Sequence, residues 1–333
     1  MQKTLGKREA VTGRLMVAVI SSCALLLGGT AAGAAPVEDA APTVVRSLPL
    51  PGTETRSHDP VLVAASETCP PLPRSTEDRP DIVSGPSIHV VYLIAADSPD
   101  QLLDSSGTLS CTIRAQNRWM EEQSGSRWNF DVFRVPAGRR RPATTAIDVT
   151  FARSTRPAAE LGGATQVRDE LIKLGFAQPG KRYLSYVMGQ YTTFCGDAIY
   201  PVSTRPDEQV DGIYAQVYLS STNSCNAHWF GTPGNPSWSD AIAQQELLHT
   251  EGLAAMGAPH SCPMILPFAH ICTGALFYTE ESLELDPERI DLMYPYVTLP
   301  LGEKVLDRGH DDYFDHGLPL ADLAESPYLI SPP

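Results

Sequence analysis

The chain has 333 residues, 42% of them hydrophobic, and a formal charge of −14, which suits one large domain or two small ones. The acidic balance argues against nucleic acid and anionic membranes as partners, because phosphate binding needs clustered positive charge. No phosphate-binding glycine loop, dinucleotide pattern or G-x-S-x-G elbow occurs, so nucleotide chemistry and an ordinary serine hydrolase are set aside.

In chain order, Lys3, Lys7, Arg8 and Arg14 form a positive stretch, followed by LMVAVISSCALLLGG and the small residues TAAGAA before Pro36. This layout predicts a signal peptide over 1–35 with cleavage near Ala35, and hence a secreted, extracellular chain. Cys23 lies inside the apolar run rather than at its end, which ranks a lipoprotein below ordinary export. The run is short for a membrane span and no later stretch rivals it, so no stable membrane insertion is expected after cleavage. The remainder carries a charge of about −17. It keeps Cys69, Cys111, Cys195, Cys225, Cys262 and Cys272. An even number in an exported chain predicts disulfides, and pairing neighbours gives 69–111, 195–225 and 262–272. Oxidised in this way, none is left as a thiolate nucleophile.

Residues 36–85 are rich in Pro, Ser, Thr and charge, and read as a flexible linker or pro-like segment. Regular signals begin after it. Strands are expected over 87–96, 127–135, 146–152, 181–191 and 212–219, and helices over 109–125 and 160–176, the second closing at Gly175. Strands interleaved with helices indicate an α/β or α+β domain over 86–333.

The segment PSWSDAIAQQELLHTEG then predicts a helix. Ser237 and Asp240 make a capping-box pair, and Gly252 supplies a stop. Gln245 and His249 stand four residues apart on one face, the spacing of two metal ligands, and Glu246 reaches the same region to handle a water proton. Zinc prefers nitrogen or sulfur donors, whereas Gln245 offers only a neutral amide oxygen. Taken alone this fragment is weak, since any amphipathic helix carries Gln, Glu and His on one side. Downstream, His260 and His270 follow the glycine turn, Cys262 and Cys272 bracket His270, and Met293 sits in Asp-Leu-Met-Tyr.

The combination of motif helix, glycine turn, further histidines and methionine segment resembles the metzincin group of zinc metallopeptidases. More closely, it is similar to secreted bacterial proteins with H-E-L-L-H-T-L-G, then A-P-H, G-H, D-L-M-Y and L-D-x-G-x-D-D-Y-F-x-H. Here these read QELLHTEG, APH (258–260), AH (269–270), DLMY (291–294) and LDRGHDDYFDHG (306–317). The resemblance implies a zincin/metzincin-like domain with a mixed twisted sheet, a motif helix and a Met-turn at Met293. It further implies Zn2+, His249 as ligand, His260 or His270 as another ligand, and Glu246 as general base. Two departures stand out: Gln245 replaces the first histidine, and Glu251 stands where Leu is usual. The metzincin spacing would put the third histidine at Ala255, which cannot ligate.

The implied activity is a secreted zinc-dependent metallopeptidase acting on peptides or proteins. The alternative is a catalytically inactive pseudopeptidase whose groove binds a peptide or protein. A ligand set of His249, His260 and His270, with Gln245 as a supporting hydrogen bonder, would reconcile Gln245 with catalysis. The acidic run at 309–317 could take Ca2+ through its carboxylates, but it lacks a recognised calcium-loop spacing and reads first as a solvated or capping face. His228 reads as a loop residue. Tyr294 and Tyr296 could polarise a carbonyl, although tyrosines in such a segment usually pack.

Overall fold

Ser87–Ile94 (SIHVVYLI) forms β1, and all eight residues are buried. A strand covered on both faces needs such a continuous apolar run rather than strict alternation. The computed structural model describes residues 69–137, 143–189, 195–199, 213–219, 230–231, 235–253, 258–261, 270–271, 290–294 and 300–332. After β1 come α1 (Thr108–Ser124), β2 (Arg127–Trp128), β3 (Val132–Val135), β4 (Thr144–Ile147), β5 (Val149–Arg153) and α2 (Ala164–Lys173). Then follow β6 (Lys181–Met188), β7 (Gly196–Ala198), β8 (Tyr214–Leu219), α3 (Trp238–Thr250), β9 (Ile290–Asp291), β10 (Lys304–Val305) and β11 (Leu329–Ile330).

The main sheet has five strands in the order β5-β1-β6-β8-β7. Neighbours run parallel except at the β7 edge, which is antiparallel to β8. Successive strand residues face opposite sides, and the sheet sorts its side chains accordingly. Ile88, Val90, Tyr92, Leu184, Tyr186, Ala215 and Val217 join the core that holds Ala243, Leu247 and Leu248 of α3. Val91, Leu93, Tyr183, Val187, Tyr214 and Tyr218 pack with Val167 and Leu171 of α2 on the other face. This is a mixed α/β fold.

Several expected elements differ in extent. The run 127–135 divides: β2 pairs with β11, whereas β3 pairs with β4. Asn129 sits at the division, its side-chain amide donating to the Ser84 and Pro86 carbonyls. The run 146–152 likewise changes partner at Asp148, which receives Arg79. The helix expected over 160–176 begins only after Gly162 and Gly163, and Gly175 follows it at φ 97°. The antiparallel strand β7 was not anticipated, because three residues carry too little periodicity to register.

The expected linker ends early. The compact unit that holds the described residues takes in residues from Thr68 onward, and Leu72 N donates to the Ser105 carbonyl. Cys69 is disulfide-bonded to Cys111 in α1, as neighbour pairing predicts. Arg74 spans Asp100 and Asp104, Arg79 pairs with Asp148, and Ser75 bridges Thr150 of β5. Cys195 is also disulfide-bonded. Cys225, Cys262, Cys272, His228, Ala255, Tyr296, the expected signal peptide and residues 36–68 lie outside the described residues. No described helix is long and apolar enough to cross a membrane.

Candidate metal centre

The capping box of α3 forms as expected from Ser237 and Asp240. Asp240 does more than cap. Its carboxylate also accepts from Thr112 Oγ1 at 2.6 Å and Gln116 Nε2 at 3.0 Å, tying α3 to α1. Beside it, Gln244 accepts from Trp128 Nε1 at 2.7 Å and donates to Gln116 at 3.3 Å. The first glutamine of the Gln-Gln-Glu run is therefore a satisfied core residue, consistent with the rule that buried polar groups find partners.

Gln245 and Glu246 differ. Both are buried. Among the described residues, Gln245 Nε2 finds no hydrogen-bond partner. Burial, reinforced by the Asp197 charge, pushes the Glu246 carboxyl well above the ordinary carboxylate range. The edge strand confines it: a β-carbon at Gly196 would lie 2.5 Å from Glu246 Oε1 and 2.5 Å from Ile242 Cγ2. Next along β7, Asp197 accepts from the Ala164 backbone at 3.0 Å, and burial raises its carboxyl too. Tyr218 on β8 is buried, and burial, Asp197 and Glu246 together push its phenol well up.

His249, one turn beyond Gln245, faces His270. The ring centroids are 4.7 Å apart with the planes at 69°. Both residues are buried. Burial and the His270 neighbour hold the His249 imidazole well below its usual range, hence neutral, as a metal ligand must be. His270 is placed from below by the methionine segment, since the Ile271 backbone donates to the Met293 carbonyl at 3.2 Å. The Asp291 carboxylate shapes that turn. It accepts from Met293 N at 2.7 Å, Arg308 N at 2.8 Å and Tyr313 Oη at 3.1 Å. Burial nevertheless pushes the Asp291 carboxyl up to about 7. Met293 is fully buried in the core under this arrangement, and Tyr294 is buried beside it.

The structure thus brings His249 and His270 into ring contact, with Gln245 and Glu246 buried on the same helix as His249 and Met293 bonded through its carbonyl to Ile271. His260 is placed elsewhere. Its backbone N–H and ring Nδ1 meet Asp312 at 2.8 and 3.1 Å, with Asp311 Oδ1 at 3.7 Å. Among the described residues, no third His, Cys or carboxylate closes with His249 and His270 into a cluster within 4.8 Å. Two other groups do close to that distance: Asp78, His89 and Asp131, and His260, Asp311 and Asp312. Either donor set could coordinate a metal. In the first, however, Lys181 Nζ already lies 2.7, 2.8 and 2.8 Å from Asp78, Asp81 and Asp131. An ammonium occupies the cation position there, so we read that group as a buried ion-pair network.

Glu251, the departure next to Gly252, has a partner that sequence reading missed. It forms a buried ion pair with Arg182 of β6, whose guanidinium stacks 3.9 Å over Tyr328. The Lys-Arg pair opening that strand was the available signal: alternate side chains point to opposite faces, so two consecutive cations call for acids on both sides. Lys181 meets its acids on the α2 face and Arg182 meets Glu251 on the α3 face. No protein-family model matches the chain, and neither does any curated protein or solved structure.

Proposed function

We propose that the chain is an exported zinc-dependent peptidase of metzincin-like type, with its centre between α3 and the His270 strand. The observation that carries this reading is the meeting of His249 and His270, two buried imidazoles in ring contact. His249 and His270 would hold the ion, and Gln245 would present its amide oxygen at the position histidine usually fills. A bound zinc ion supplies Lewis acidity toward water and a peptide carbonyl. Glu246 takes the proton of the attacking water and returns it to the leaving amine. Its raised pKa suits a base that must also act as an acid. The signal-like N-terminus and the Cys69–Cys111 disulfide support export.

The test is metal content and peptide hydrolysis in the purified chain, compared with His270→Ala. Retained zinc that falls by one equivalent in the variant, together with the loss of hydrolysis, is the expected result. Zinc content indifferent to His270→Ala would sink the reading.

A second reading, an inactive scaffold that binds peptides or proteins, is favoured by one observation. The strong donors closing on the site number only two among the described residues, and Gln245 is a weak third. Under that reading the wild type holds no zinc at His249, and Gln245→His restores it.

A further inference from the structure

We propose that His260, Asp311 and Asp312 form a second divalent-metal site, which fastens residues 258–261 to the 306–316 segment. The inference is independent of the centre at His249 and His270.

Its geometry fits a small borderline metal. Two donors bound to one zinc ion at a tetrahedral angle stand about 3.3 Å apart, given bonds of about 2.0–2.1 Å. His260 Nδ1 lies 3.1 Å from Asp312 Oδ2 and 3.7 Å from Asp311 Oδ1, on either side of that value. One imidazole nitrogen and two carboxylate oxygens suit zinc or manganese better than calcium or magnesium, which favour all-oxygen shells. The site is accessible: the side chains of His260 and Asp311 are 42% and 50% exposed, leaving room for water to complete the shell.

What distinguishes this group from Asp78, His89 and Asp131 is the missing cation. Geometry alone does not separate them, since His89 Nδ1 lies 3.0 and 3.4 Å from its two carboxylates. There Lys181 supplies the positive charge. Here no lysine or arginine pairs with Asp311 or Asp312 among the described residues. Asp311 Oδ1 is shielded from solvent, makes no hydrogen bond and converges on the His260 ring. Asp312 is almost wholly buried. Two adjacent carboxylates, one with a buried oxygen that makes no hydrogen bond and with no lysine or arginine beside them among the described residues, form with His260 an arrangement that a divalent ion completes. Asp312 is already fixed by the His260 backbone N–H, so binding needs little rearrangement.

The site also has a consequence for the first centre. Ser261, next to His260, bridges Ile271, next to His270. An ion at His260 would therefore brace the Ser261–Ile271 bridge beside His270.

The experiment strips the full chain with a chelator and dialyses it against Zn2+ at about pH 8, where histidine is ordinarily neutral. Zinc is then counted in wild type, Asp311→Asn, His260→Ala and His270→Ala, each checked for folding by circular dichroism. The expected result is two equivalents in wild type and one in each variant. One wild-type equivalent that Asp311→Asn removes and His270→Ala leaves would uphold this site and sink the centre at His270. Asp311→Asn and His260→Ala that both retain the wild-type zinc count overturn the second site. A wild type without zinc overturns both.

Discussion

The two faces of the central sheet use the same residue types to opposite ends. On the α2 face His89, Asp78, Asp81, Asp131 and Lys181 close on one another, with Lys181 reaching three carboxylates. Burial works against the Asp131 charge, yet hydrogen bonds from His89, Lys181 and Ser87 pull its carboxyl down to about 2. On the α3 face Glu246 is equally enclosed, but it has Asp197 for a neighbour and no cation among the described residues, so its carboxyl moves the other way. A matched cluster holds a fold together. An unmatched one retains reactivity, which is why strongly perturbed carboxyls mark candidate sites.

Four measurements sharpen or break that contrast, beginning with the largest effect. Glu246→Gln should lower peptide hydrolysis by about 10²–10⁴-fold while leaving the melting temperature equal or higher, since burial and Asp197 already disfavour a charge at this position. Full activity in this variant would place Glu246 with the structural acids. Next, Arg182→Met should cost about 3–5 kcal/mol in denaturant unfolding by stranding Glu251, and adding Glu251→Leu should recover most of it. A double variant no better than the single would mean that Arg182 acts through its Tyr328 stack instead.

The third concerns acid. The carboxyl of Asp131 titrates lower folded than unfolded, so its stabilisation is complete above about pH 4 and is lost as pH falls toward 2, roughly 2 kcal/mol in all. Asp131→Asn should lack that slope when unfolding free energy is followed against pH; an unchanged slope would remove Asp131 from the account. The smallest effect is expected at the edge strand. Gly196→Ala pushes on Glu246 and Ile242 and should reduce turnover about tenfold, or about 1.4 kcal/mol, with an overpacking cost of about 1–3 kcal/mol in stability. Wild-type turnover would mean that β7 yields and does not position the carboxylate.

Much of this arrangement was legible in the sequence because it is local. The buried run of β1, the α3 capping box and the glycine after α2 are written in neighbouring residues, and each forms as read. What escaped was long-range. β7 is three residues long, yet it sets the wall against Glu246. The contact between Thr112 and Asp240 spans 128 positions, and the contact between Arg79 and Asp148 spans 69. No periodicity encodes such pairs.

The sequence by itself determined the alternation of strands and helices and the helix that carries Gln245, Glu246 and His249; of the fifteen pairings it allowed for six cysteines, the structure shows Cys69–Cys111. The sequence also left open whether His260 or His270 stands beside His249, and it offered no partner for Glu251. Tertiary structure decided both. The His270 ring meets that of His249 while the Ile271 backbone bonds to the Met293 carbonyl, the His260 ring bonds to Asp312, and the pleat of β6 sends Lys181 and Arg182 to opposite faces. Local order follows from backbone sterics and hydrophobic period, whereas a site is made by residues far apart in the chain. Their meeting depends on how whole elements pack.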